Sequence, residues 1–106
     1  MTRIYKDIRD GWTARTEVPL EDDREIHLST YKDYTGKLVT RAQVGVAKAN
    51  SFTFVIFQDY HKTLAANKVR CTAKAVTQQH ENALSMLPTL IDDVTRFYTN
   101  QPALLG

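Results

Sequence analysis

Cations interleaved with tyrosines on what reads as one β-sheet are the residues here whose spacing suggests chemistry. Lys37, Arg41, Lys48, Lys68, Arg70 and Lys74 follow one another through the middle of the chain, and Tyr31 and Tyr34 stand just before the first of them. Cations of this kind track the phosphates of a flexible strand, and aromatic faces stack on its bases, each base contributing about 1–3 kcal/mol without any reading of sequence. The expected partner of such a surface is single-stranded DNA or RNA.

Other chemistries find little in the chain. The glycines Gly11, Gly36, Gly45 and Gly106 are isolated, so no loop can cradle a nucleotide phosphate in the manner of a glycine-rich motif. No serine sits in a nucleophile elbow. Cys71 would need the fold to bring His61 or His80 beside it before it could act as a nucleophile, and a small packed hydrophobe is the expected role. His27, His61 and His80 have no metal-ligand spacing and read as surface or partly packed side chains. Glu21-Asp22-Asp23 reads as a solvated turn, because it lacks the alternating oxygen ligands of a cation loop. Asp92-Asp93 falls early in a helix, where negative charge suits the helix dipole. The expectation is a non-enzymatic module with no metal and no cofactor.

Charge is unevenly distributed along the 106 residues. Residues 37–74 carry seven cations against Asp59, a net +6, whereas residues 1–36 and 75–106 each carry a net −2. A basic middle between acidic flanks points toward a polyanion. The 42% apolar and 25% charged composition is that of a folded globular domain, expected to be one unit over residues 1–106. A lone cysteine gives no sign of an oxidising compartment. The opening Met1-Thr2-Arg3-Ile4-Tyr5-Lys6-Asp7 has no apolar core of a signal peptide, and no apolar run approaches a membrane span. A cytoplasmic setting is the default expectation.

The elements that must position these residues follow from periodicity. Ile4, Ile8 and Trp12 recur every four residues and predict a short helical face stopped by Gly11. From Trp12 to Pro19 the period is two, with Trp12, Ala14, Thr16 and Val18 on one side of a strand. A second strand runs from Arg24 to Lys32, with Ile26, Leu28 and Thr30 opposed to Glu25, His27, Ser29 and Tyr31. Asp33-Tyr34-Thr35-Gly36 is a hairpin turn in which Gly36 supplies positive φ. The third strand spans Lys37 to about Lys48, with Leu38, Thr40, Ala42, Val44 and Val46 on its apolar side and a bulge or bend at Gly45. After a turn at Ala49-Asn50-Ser51, Phe52-Thr53-Phe54-Val55-Ile56-Phe57 predicts a strand covered on both faces, with a loop beginning at Asp59-Tyr60-His61. The spacing turns helical from Thr72, with Ala73, Val76, Ala83, Leu84 and Leu87 near one stripe. Pro88 breaks or kinks this run before a second stretch carrying Leu90, Ile91, Val94, Phe97 and Tyr98.

The predicted class is therefore α+β: an antiparallel sheet of about four strands in consecutive hairpins, then one kinked or two C-terminal helices, a ββββα-like order. Over residues 12–98 that order is similar at fold level to the Whirly type of single-stranded DNA-binding modules. The resemblance implies oligomeric packing and a binding surface on basic β-hairpins, while the acidic first third of this chain departs from it. The alternative expectation is a protein-interaction or assembly module in which the aromatic strand and the amphipathic helices build a homo-oligomer.

Overall fold

The computed structural model describes residues 2–7, 11–20, 24–47 and 55–99. Strands β1 (Thr2–Asp7), β2 (Gly11–Pro19), β3 (Arg24–Lys32), β4 (Leu38–Ala47) and β5 (Val55–Asn67) form one antiparallel sheet in sequence order. Helices α1 (Ala73–Ser85) and α2 (Leu87–Thr99) follow. The α+β class and the hairpin order are as the alternation predicts, with five strands in place of about four.

The extra strand is β1, which occupies the stretch read above as a helical face. A spacing of four is even, so it fits one face of a strand as readily as one face of a helix. What decides is the partner: Thr2 through Asp7 pair with Thr16 through Gly11, and Gly11 takes a φ of +85° where β2 begins. β5 also differs from expectation, because no loop begins at Asp59. The strand runs on to Asn67, which pairs with Leu38 at the start of β4. β5 has 13 residues and β4 has 10; two register shifts, one at Thr40/Arg41 and one at Gln43/Gly45, absorb the excess. The second is the irregularity that Gly45 predicts. Phe52-Thr53-Phe54, the turn at Ala49–Ser51, the acidic loop Glu21–Asp23 and Lys48 lie outside the described residues.

The hairpin turn between β3 and β4 is built around Asp33. Its backbone N–H donates to the Lys37 carbonyl at 2.9 Å, and its carbonyl accepts from Gly36 at 3.0 Å with Gly36 at φ +87°. α1 is capped by Thr72, whose hydroxyl oxygen accepts from the Ala75 N–H at 3.1 Å. Pro88 is the second residue of α2, where a missing N–H costs nothing because the first-turn donors have no partner within the helix.

Both helices lie on one face of the sheet. Ile26, Leu28, Ala42 and Val44 from the strands and Leu90 and Val94 from α2 make one buried cluster, with Tyr60. Ala14, Leu38 and Val76 make a second, flanked by Trp12, Cys71 and Ala75. A buried polar belt separates the two. His80 on α1 is 1% exposed, and its ring contacts Thr16 Oγ1 through Nε2 at 2.7 Å and Thr30 Oγ1 through Nδ1 at 2.8 Å. Thr30 in turn contacts Thr40 at 2.7 Å, and Gln79 Nε2 donates to Thr40 Oγ1 and to the Leu38 carbonyl, both at 3.0 Å. One assignment satisfies the whole chain: Thr40 donates to Thr30, Thr30 to Nδ1, and Nε2–H to Thr16, leaving the imidazole neutral. His80 is thus a core residue, not the surface or partly packed histidine expected.

Candidate functional site

Among the described residues, the opposite face of the sheet carries no helix. Strict alternation places Thr13, Arg15 and Glu17 of β2, Glu25, His27, Ser29 and Tyr31 of β3, and Val39, Arg41 and Gln43 of β4 there. Register then arranges these residues in rows across the strands. Arg15 pairs with Ser29, Ser29 with Arg41, and Arg41 with Thr63; Arg3 of β1 holds the next position in the same row. The neighbouring row reads Glu17, His27, Gln43, His61. On the other side, Tyr31 pairs with Val39.

Because Ser29 is short and its row neighbours are long, the row has a notch in the middle. A cavity of about 280 Å³ opens there, lined by Arg15, His27, Ser29, Tyr31, Arg41 and His61, with Gln43. Among the described residues, no carboxylate lines it. The Cα atoms of Arg15 and Arg41 stand two strand spacings apart, about 10 Å.

One wall of the notch is held in a hydrogen-bonded series. Arg15 Nη2 lies 2.7 Å from His27 Nδ1, and His27 Nε2 lies 2.7 Å from Glu25 Oε1. A guanidinium has only donors, so Nδ1 accepts from Arg15 and Nε2–H donates to the carboxylate. His27 is 4% exposed although no helix covers this face. The Glu17 carboxylate is 3.7 Å from Arg15 Nε, beyond hydrogen-bond distance, and Nε is buried without an acceptor. The short contact of Arg15 is thus to the His27 ring, with Glu17 held at longer range.

A second concentration of charge lies at the end of the sheet where β3 turns into β4. Lys32 ends β3 opposite Leu38, Lys37 precedes β4, and Lys68 follows Asn67, the partner of Leu38. The connection to α1 crosses this end, since Cys71 Sγ donates to the Trp12 carbonyl at 3.3 Å. It brings Arg70 and, in the first turn of α1, Lys74. Lys6 reaches the same end through its pairing with Trp12. Lys6, Lys32, Lys37, Lys68, Arg70 and Lys74 are all exposed. Asp7 shares this end by its register with Gly11. Asp33 is bound within its own turn, accepting from the Thr35 hydroxyl at 2.6 Å and from the Thr35 and Lys37 backbone at 2.9 and 3.1 Å. Those bonds, the Thr35 hydroxyl foremost, hold its carboxyl below the ordinary aspartate range.

The sequence-derived residues thus fall into three groups. Lys37, Lys68 and Arg70 converge at the basic end, with Tyr34 fully solvated at the hairpin tip, 97% exposed. Arg41 and Tyr31 belong to the notch on the open face, four residues or about 13 Å up β4 from Lys37. Lys74 sits at the same end but on the helical layer, beside Thr77, Gln78 and Glu81. Arg15, Ser29 and Gln43 are not singled out by the sequence, and His61 is considered there only as a base for Cys71 or a metal ligand. The signal for them was their shared parity with Arg41, which becomes a cross-strand row only once hairpin register is known.

Among the described residues, no group of three or more His, Cys, Asp or Glu side chains is arranged to hold a metal ion, and no helix is long and apolar enough to cross a membrane. Comparison with protein-family models, with curated proteins and with solved structures finds no match to this chain.

Proposed function

We propose that this domain is a non-enzymatic module that binds single-stranded nucleic acid, with the strand running from the basic end of the sheet onto the open face. The observation that carries the reading is convergence. Cations separated by up to about 70 positions in the chain meet at one end of the sheet, and the Arg15–Ser29–Arg41 row continues the positive surface along β4. Tyr34 at the hairpin tip and Tyr31 beside the notch offer a stacking face to each of these two regions. Two of the neighbouring carboxylates are engaged, Asp33 by its turn and Glu25 by His27.

The reading is tested by fluorescence anisotropy with a labelled oligonucleotide at several salt concentrations. Contact with about five phosphates on a single strand gives a log–log slope near −3.5, or about a hundredfold loss of affinity between 50 and 200 mM salt. Replacing Lys37, Lys68 and Arg70 together by alanine flattens that slope by about 2. Absence of binding at low salt, or binding indifferent to salt, refutes the proposal.

A homo-oligomer is the second reading, and the sheet edge favours it. β5 offers a 13-residue edge strand, and an edge of that length is a template for pairing with another chain. Light scattering that returns a strict monomer across micromolar concentrations removes this reading.

A further inference from the structure

We infer that the notch between Arg15 and Arg41 is a seat for a phosphate monoester, so that the domain prefers a nucleic-acid strand ending in a 5′-phosphate over one ending in a hydroxyl. The inference rests on the nucleic-acid reading for the source of the phosphate, but the seat is defined by its own geometry.

Three features support it. The first is charge. Two guanidiniums face one cavity that no carboxylate lines among the described residues. A monoester carries nearly two negative charges at neutral pH, against one for an internal diester, and the dianion is the better match for the pair. The second is unspent donor capacity. Arg15 makes one side-chain hydrogen bond, through Nη2 to His27, with the Glu17 carboxylate 3.7 Å from its Nε, and Arg41 is exposed and makes no hydrogen bond or ion pair among the described residues, interacting with the Asp33 carboxylate only through space. Arginine donors are arranged as planar forks that match phosphate oxygens two at a time. The third is shape. Ser29 leaves room between the two forks and places a hydroxyl at the floor, while Tyr31 flanks one side and His61 the other. At about 280 Å³ the cavity exceeds what a bare phosphate fills, leaving space for the attached sugar, with the Tyr31 ring beside it for the first base.

His27 and Glu25 act here as positioning residues. With both ring nitrogens engaged, His27 fixes Arg15 Nη2 at 2.7 Å and turns the rest of the guanidinium toward a ligand. Pre-setting an arginine in this way lowers the ordering cost of binding.

The test compares oligonucleotides of one sequence carrying either a 5′-phosphate or a 5′-hydroxyl, by anisotropy at low salt, alongside calorimetry with a nucleoside 5′-monophosphate. The phosphorylated strand is expected to bind about tenfold more tightly, the value of one extra charge-assisted hydrogen bond or more. Ser29→Val, a residue type that strands accept, fills the notch and is expected to abolish the preference, so that the phosphorylated strand binds no more tightly than the 5′-hydroxyl strand. Arg41→Gln, at an exposed position that folding does not depend on, weakens both strands and also abolishes the preference. Equal affinity for the two strands with a steep salt dependence overturns the seat and leaves the nucleic-acid reading standing. Monophosphate binding that Arg41→Gln removes, with no binding of either strand, supports the seat and removes the nucleic-acid reading. Failure of both the monophosphate and the phosphorylated strand to bind overturns the seat outright.

Discussion

Replacing His80 by alanine removes the centre of the polar belt, and the size of the effect follows from what surrounds the ring. His80 is 1% exposed and bridges Thr16 and Thr30. Truncation opens a cavity somewhat smaller than that of a phenylalanine-to-alanine change, which costs about 3–5 kcal/mol. It also deletes two hydrogen bonds of about 1 kcal/mol each. Thr30 keeps Thr40 as a partner and Thr16 keeps Thr2, so neither hydroxyl is stranded and no further penalty is added, and the net loss is about 4 kcal/mol. In a domain of this size that lowers the melting temperature by about 20 °C. The ring also carries a pH signature. Burial lowers its pKa from the ordinary 6.5, so the folded state holds it neutral where the unfolded chain binds a proton. Above the unfolded pKa both states are neutral and the full stability is present. As pH falls through 6.5 the unfolded chain gains a proton that the folded chain does not, and stability drops by up to about 1.4 kcal/mol per pH unit until the lowered folded pKa is reached. Urea titrations from pH 7.5 to pH 5 on the wild type and on His80→Ala measure both effects, with His80→Gln as a milder variant should the alanine form unfold. The alanine form should be less stable at pH 7.5 and should lack this part of the acid slope. A variant that keeps the wild-type slope, or matches the wild type in stability, refutes the assignment of His80 as a neutral core group.

Other positions give sharper single effects. Leu28 is fully buried at the centre of the larger apolar cluster, so Leu28→Ala should cost about 2–5 kcal/mol in chemical denaturation; a loss below 1 kcal/mol would contradict its place in the core. Gly36 has open space where a Cβ would sit but a φ of +87°, so Gly36→Ala should lose about 1 kcal/mol from backbone strain alone, visible as a small drop in thermal midpoint with an unchanged circular dichroism spectrum. Tyr60 donates its hydroxyl to Asp93 at 2.7 Å; burial first, and that carboxylate second, raise its pKa above the ordinary 10. Tyr60→Phe should cost about 1 kcal/mol, and spectrophotometric titration of the wild type should leave one tyrosine un-ionised at pH 11. Thr72→Ala removes the cap of α1 and should cost about 1 kcal/mol, detected as faster amide exchange in its first turn.

Alternation in the sequence was enough to define β2, β3 and β4 and to divide their side chains between two faces. Trp12 to Val18, Ile26 to Thr30 and Leu38 to Val46 each carry a period of two, and burying one set forces the other to solvent. The helical stripe was legible too, including its break at Pro88. His80 lay on that stripe, four residues after Val76 and three before Ala83, but histidine is ambiguous between core and surface until its partners are known. Those partners, Thr16 and Thr30, are 64 and 50 residues away in the chain. β1 and the second half of β5 were not legible, because a spacing of four at Ile4 and Ile8 suits a helix face as well as a strand and Asp59 to Asn67 carries no clear alternation; pairing with a neighbour supplies the hydrogen bonds that make them strands.

The same division holds for the site. Composition alone established that the middle of the chain is basic and that tyrosines stand beside the first cations. It could not establish which of those cations meet. Two hairpin registers decided that, since they align Arg15, Ser29 and Arg41 in one row, and a slip of a single residue would turn every member of the row to the other face. The crossing from β5 to α1 then carried Lys68 and Arg70 to the end of the sheet that Lys32 and Lys37 already occupied. Side-chain type is local, but a cavity is made by strands that are neighbours only after folding, and that is why the notch belongs to the tertiary structure alone.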